Sequence, residues 1–213
     1  MRKSAFIIAI GGGAAALLGV GYAVFAVTPR EEPARTLVLD VGAEHLTIDS
    51  RYVSTQTRAA DAVELVAFFP DFRPAARFDD VNVHTDLSER FQRLVFMTPR
   101  PADATLDPAE RTARLYERFL VETSWSHAGG LTARAFEDGS PFEGDELFYL
   151  APEGREFAAR CHKPDPARKT PNTCISVFRL GGLDVEMRFS AGLLSEWEKL
   201  REGARGLIEA ARR

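Results

Sequence analysis

Both cysteines of the chain, Cys161 and Cys174, lie in the stretch ARCHKPDPARKTPNTCIS, with His162 beside the first and three prolines between them. Two thiols and an imidazole could bind a metal, run redox chemistry, act as a nucleophile or close a disulfide. There is no Cys-x-x-Cys, so neither a thioredoxin-type centre nor a c-type haem site is written here. In an oxidising compartment the two thiols are expected to pair with each other, which leaves His162 as a lone imidazole and no metal site. The flanks agree with pairing. REFAARC and TCISVFRL each alternate so that Cys161 and Cys174 share a face with Phe157, Ala159, Ser176 and Phe178, which predicts two antiparallel strands joined by a long loop.

Other residues with chemical potential are dispersed. In DDVNVHTD, Asp80, Asn82, His84 and Asp86 alternate and would line one face of a strand. The turn glycine and distal glutamate of a calcium loop are missing, so a solvated face is expected. The four histidines, His45, His84, His127 and His162, are scattered. No Gly-x-Ser-x-Gly, Ser-x-x-Lys, phosphate-binding Gly-x-x-x-x-Gly-Lys or His-Glu-x-x-His is present. The loop EDGSPFEGDELFY carries Glu137, Asp138, Glu143, Asp145 and Glu146, acids that could pair for glycoside chemistry at the right separation. Gly139, Pro141 and Gly144 among them are what a solvated turn requires. Trp125, in SWSHAGG, stands in a small-residue loop that either presents it to a partner or buries it as an anchor. No catalytic residue, cofactor site or metal ligand is assigned.

The elements that position these residues read as an α+β domain, mainly antiparallel sheet with two amphipathic helices, preceded by one N-terminal transmembrane helix. TLVLDV and EHLTID flank Gly42 and Ala43 and predict an opening hairpin. DAVELVAFFP and ERFQRLVFMTP are strand-like runs closed by proline. DELFYLAP, REFAARC, TCISVFRL and LDVEMRFS follow as a four-strand meander. Asp107 and Pro108 predict a helix start, with Leu115, Tyr116, Phe119 and Leu120 as its apolar stripe. From Ala191 onward a second helix presents Leu193, Leu194, Trp197, Leu200, Ala204, Leu207, Ile208 and Ala211 on one side.

The N-terminus differs in kind. No charge occurs from Ser4 to Pro29, and a helix needs roughly 20 apolar residues to span a bilayer core. Residues 1–3 are read as a cytoplasmic n-region, 4–27 as a transmembrane anchor, 28–35 as a linker and 36–213 as a periplasmic domain. Arg2 and Lys3 hold the N-terminus inside, which gives a single-pass bacterial inner-membrane protein. A signal peptide cut near Ala26 is the competing reading. Gly11, Ala15, Gly19 and Ala23 recur every fourth residue and would let two anchors approach as a homodimer. Net charge is −4, and −6 without Arg2 and Lys3, so no nucleic-acid partner is implied.

The basic N-terminus with its apolar segment, LTIDSRYV, SPFEGDELFYLAPEGREFAARC and the ending CISVFRLGGLDVEMRFSAGLLSEWEKLREGARGLI together resemble uncharacterised proteobacterial single-pass membrane-anchored periplasmic proteins. The resemblance implies location and architecture and brings no activity with it. The expected function is a non-catalytic accessory or interaction domain of the cell envelope that binds an envelope protein. The alternatives are a periplasmic immunity protein and an envelope hydrolase with an acidic site. A cleft that joins Glu143 or Asp145 to a histidine would favour the enzyme, and exposed apolar surface would favour the binder.

Overall fold

Alternating side chains make most of this chain into strands, and the strands pair almost in the order in which they are written. The computed structural model describes residues 34–54, 63–75, 87–163 and 172–213. The anchor segment 4–27, its Gly11, Ala15, Gly19 and Ala23, and the string with Asp80, Asn82, His84 and Asp86 lie outside the described residues. Among the described residues no helix is long and apolar enough to cross a membrane.

Strands β1 (Thr36–Val41) and β2 (Glu44–Asp49) form the expected hairpin as a sheet of their own, turning at Gly42, whose φ of +63° suits a residue without Cβ. The other strands are β3 (Leu65–Phe68), β4 (Arg73–Pro74), β5 (Leu94–Pro101), β6 (Leu120–His127), β7 (Leu131–Phe136), β8 (Asp145–Tyr149), β9 (Ala158–His162), β10 (Thr173–Leu180) and β11 (Leu183–Ser190). They build one antiparallel sheet in the order β4-β3-β5-β11-β10-β9-β8-β7-β6. The predicted meander is β8 to β11, and the structure extends it by β6 and β7. The run ERFQRLVFMTP divides: helix α1 (Leu87–Gln92) takes its start and β5 the remainder.

The sheet has a core on each face. On one face lie Phe148, Ala159, Cys161, Cys174, Phe178, Val185, Met187 and Phe189, covered by α2 (Trp197–Ala211). Trp197, Leu200, Ala204, Ile208 and Ala211 are buried at spacings of three and four, the stripe the sequence predicts. Full burial of Leu200 or Ile208 is worth about 1.5–3 kcal/mol. Gly203 lies so close to Phe72 that a Cβ there would stand 2.1 Å from the ring.

The opposite face holds Leu120, Phe136, Leu147 and Tyr149, with Tyr116, Phe119 and Phe142 against them. Here the structure corrects the first predicted helix. Asp107 does cap its start, accepting from Ala109 N at 2.9 Å, and Pro108 follows. The segment then runs as a 3-10 turn (Pro108–Glu110), a π turn (Thr112–Tyr116) and a second 3-10 turn (Glu117–Phe119) instead of a regular α-helix. This path sets Tyr116 edge-on to both Phe136 and Phe142, at 5.7 and 5.2 Å, and delivers Leu120 directly into β6.

Cys161 and Cys174 are opposite each other in the β9–β10 register and form a buried disulfide. The two cysteines are 13 residues apart in sequence, so reduction should lower the unfolding free energy by about 3 kcal/mol. Urea unfolding with and without reductant measures this. The hairpin is clasped to the domain by Glu44, which accepts from Gly182 N at 2.9 Å and from the Arg212 guanidinium at 3.0 and 3.1 Å. The Gly182 N–H, and next to it Arg212, hold the Glu44 carboxyl below its ordinary value of 4.5. A lowered folded-state value contributes stability above the unfolded value and loses it as pH falls through the folded one. The stability gap between the wild type and Glu44→Gln should therefore narrow as pH falls from about 6 to about 3, followed by urea unfolding at each pH.

Candidate functional site

One acid of the 137–149 loop does meet a histidine. Asp145 opens β8 and His162 ends β9, and the two are cross-strand partners. Asp145 Oδ1 meets His162 Nδ1 at 2.5 Å, while Oδ2 accepts from Arg160 Nη1 at 2.5 Å. The carboxylate is 5% exposed, Arg160 27% and His162 55%, so a buried acid is capped by two groups that reach solvent. Phe142 closes the cluster from the loop, its ring 5.2 Å from the Arg160 guanidinium.

The pair is embedded in an ion-pair cluster. Both oxygens of Asp145 are engaged, and among the described residues His162 meets no hydroxyl or thiol that it could activate. The loop acids do not converge either. Glu143 accepts from Gly139 N at 3.0 Å within its own turn, Glu137 and Asp138 are exposed, and Glu146 points to the face of β8 opposite Asp145. Among the described residues no three His, Cys, Asp or Glu side chains gather as metal ligands would. Arg160, which sequence reasoning passed over, becomes visible only with the β8–β9 register that sets Cys161 beside Glu146.

Trp125 has a different setting. The segment read as a loop is strand β6, which ends the sheet order, so that among the described residues no strand pairs with its outer side. Its first part is bulged: Leu120 faces Phe136 and Ser124 faces Arg134, which leaves residues 121–123 opposite Ala135 alone. Arg134 fills the bulge, donating from Nε to Val121 O at 2.8 Å, from Nη2 to Leu120 O at 3.3 Å and from Nη1 to Glu117 at 2.7 Å. Burial disfavours the charge of Arg134, but bonding to Glu117 outweighs it and the guanidinium pKa is raised.

Beyond the bulge, Ser124–His127 pairs regularly with β7 and carries no acidic, lysine, arginine or proline residue on its outer edge. Trp125 is 40% exposed there, one of three large apolar side chains so exposed among the described residues. The strand is held from within: His127 packs edge-on to Phe148 at 4.9 Å, and the following 128–130 turn accepts the Trp197 indole N–H at Gly129 O, 2.9 Å away. An open strand edge without carboxylate, lysine or arginine and with an exposed indole is suited to bind another chain. A sequence signal for β7 did exist, in the alternation of Leu131, Ala133 and Ala135, but alanine makes it weak.

No protein-family model and no curated protein matches the chain. Two solved structures do. An immunity protein of the Stenotrophomonas maltophilia type IV secretion system superposes with a TM-score of 0.60 at 16% identity, over 84% of this chain and 93% of its own. An iron-regulated outer membrane lipoprotein of Neisseria meningitidis gives 0.48 at 11% identity, over 84% and 92%. The first likeness shows a shared fold.

If the Asp145 cluster is structural, Asp145→Ala strands Arg160 and should cost about 1–3 kcal/mol, whereas His162→Ala should cost under about 1 kcal/mol because the imidazole is half in water. Urea unfolding of the two variants separates these values.

Proposed function

We propose that the protein is an exported, non-catalytic binding domain of the bacterial cell envelope, and that it neutralises a toxic protein partner which docks on the edge of β6. The observation that carries this reading is the outer edge of Ser124–His127, which among the described residues no strand covers and which has no carboxylate, lysine or arginine, with Trp125 exposed on it. Strand addition supplies main-chain hydrogen bonds, and a tryptophan at the centre of the contact supplies apolar area at low entropic cost. The partner class is drawn from the immunity protein of like fold. Export is supported by the apolar segment 4–27 behind Arg2 and Lys3 and by the disulfide, which suits an oxidising compartment.

One observation favours a second reading. The Asp145–His162 pair is the element an envelope hydrolase would use, and turnover of an envelope substrate that is lost in His162→Ala would favour that enzyme.

The binding reading is tested with a photo-crosslinking amino acid at position 125 in intact cells and, as a control, at the more exposed Val38. A discrete adduct from position 125 only is expected, and Trp125→Ala should weaken the purified complex by a factor of about 30 or more without lowering stability. The crosslinked protein should lose its toxic activity in a one-to-one complex. Equal adducts from both positions, or undiminished toxicity, would overturn the proposal.

A further inference from the structure

A slot opens where β9 runs out beside β10. Strand β9 begins at Ala158, and its pairing with β10 covers only Cys174–Ser176, so Val177–Leu180 have β11 on one side and no strand on the other among the described residues. The gap encloses about 250 Å³ between the 107–109 turn, the 154–158 segment and α2. Its largest apolar lining residues are Phe157, Phe178 and Met187, all buried. Four arginines and two acids line the remainder, a positive concentration in a chain whose net charge is −4.

The four arginines are not equivalent. Arg155 is taken by Glu153 at 2.6 Å, and Arg179 by Asp184 at 2.7 and 2.9 Å together with Asp103 O at 2.7 Å. Arg201 and Arg205, one helical turn apart on α2, have looser company. Arg201 meets Glu156 only at 3.7 Å, and its buried Nε has no hydrogen-bond partner. Arg205 meets Glu209 only at 3.8 Å, donates to Arg179 O at 3.2 Å and lies over the Phe178 ring. A buried guanidinium N–H without an acceptor is costly, and a carboxylate is its strongest natural partner.

We propose that this slot takes the carboxylate of an acidic side chain from the protein partner, held between Arg201 and Arg205 with its methylene stem on Phe178 and Met187. The volume lies below the roughly 300–1,000 Å³ of sites for drug-sized ligands and suits a single side chain. The apolar lining selects an anion with an aliphatic stem, since a free, fully hydrated oxyanion gains nothing from it. Glu156 is the group that the incoming carboxylate displaces from Arg201.

The inference rests on the reading of the domain as a binding module, but its test needs no partner in hand. The full-length ¹⁵N-labelled protein in detergent micelles is titrated at low salt with the blocked peptide acetyl-Ala-Glu-Ala-amide while the arginine Nε–H resonances are followed. Saturable shifts at Arg201 and Arg205 are expected, with roughly tenfold lower affinity for the Gln-containing peptide and loss of response in Arg201→Gln/Arg205→Gln. Equal response to the two peptides, or no response at these arginines, overturns the proposal. Inorganic phosphate is the third arm, and shifts as large as those of the Glu peptide at equal concentration would overturn it in favour of a general oxyanion site. Failure of this titration leaves the crosslink from position 125 untouched, and failure of the crosslink leaves the titration untouched.

Discussion

The burial of one indole ties together the edge strand β6, the helix α2 and the 154–158 segment. Trp197 opens α2, stacks at 5.0 Å on Phe157 and donates its N–H to Gly129 O. A buried tryptophan must satisfy that N–H, and here the acceptor is the turn that ends β6. A single side chain thus fixes the end of the edge strand, the start of the helix that covers the sheet, and the 154–158 segment that walls the slot. One turn further along the same helix come Arg201 and then Arg205. The edge with Trp125 and the slot share this support.

The second constraint is electrostatic. On the face of the sheet opposite α2, three carboxylates are buried among the described residues, and each is paired with an arginine: Asp145 with Arg160 and Asp184 with Arg179 on the adjacent strand, and Glu64, just before β3, with Arg188 across β5. Such pairs add little net stability, because desolvation offsets attraction, but a shifted register would leave a buried charge alone. In an antiparallel meander whose alternatives differ by two residues, three such pairs along the sheet penalise each slip. The Asp145–His162 pair belongs to this set more naturally than to a catalytic site, since Arg160 occupies the oxygen His162 leaves free.

How much of this was legible varies with the range of the interaction. Strand alternation gave β8 to β11, and the two cysteines fell on one face of their strands, so their pairing could be expected before their register was known. The Asp107–Pro108 start was legible because capping is local, whereas the π turn after it was not, because it is imposed by Tyr116 and Phe119 packing on rings from β7 and its following loop. Strand β6 was missed since Glu122, Thr123, Ser124 and Ser126 give no apolar alternation, and they need none on an edge that faces water.

By itself the sequence determined the local features: the apolar N-terminal segment, the hairpin at Gly42, the period-two strands, the stripe of α2 and the likeness in setting of Cys161 and Cys174. These depend on residues a few positions apart, where spacing alone fixes which side chains share a face. Only the tertiary structure decided that β5 lies on β11, that β6 is left as an edge, that Asp145 meets Arg160 and His162, and that Arg201 and Arg205 look into a gap beside β10. Each of these joins residues distant in the chain, and no spacing in the sequence records which strand will stand beside which.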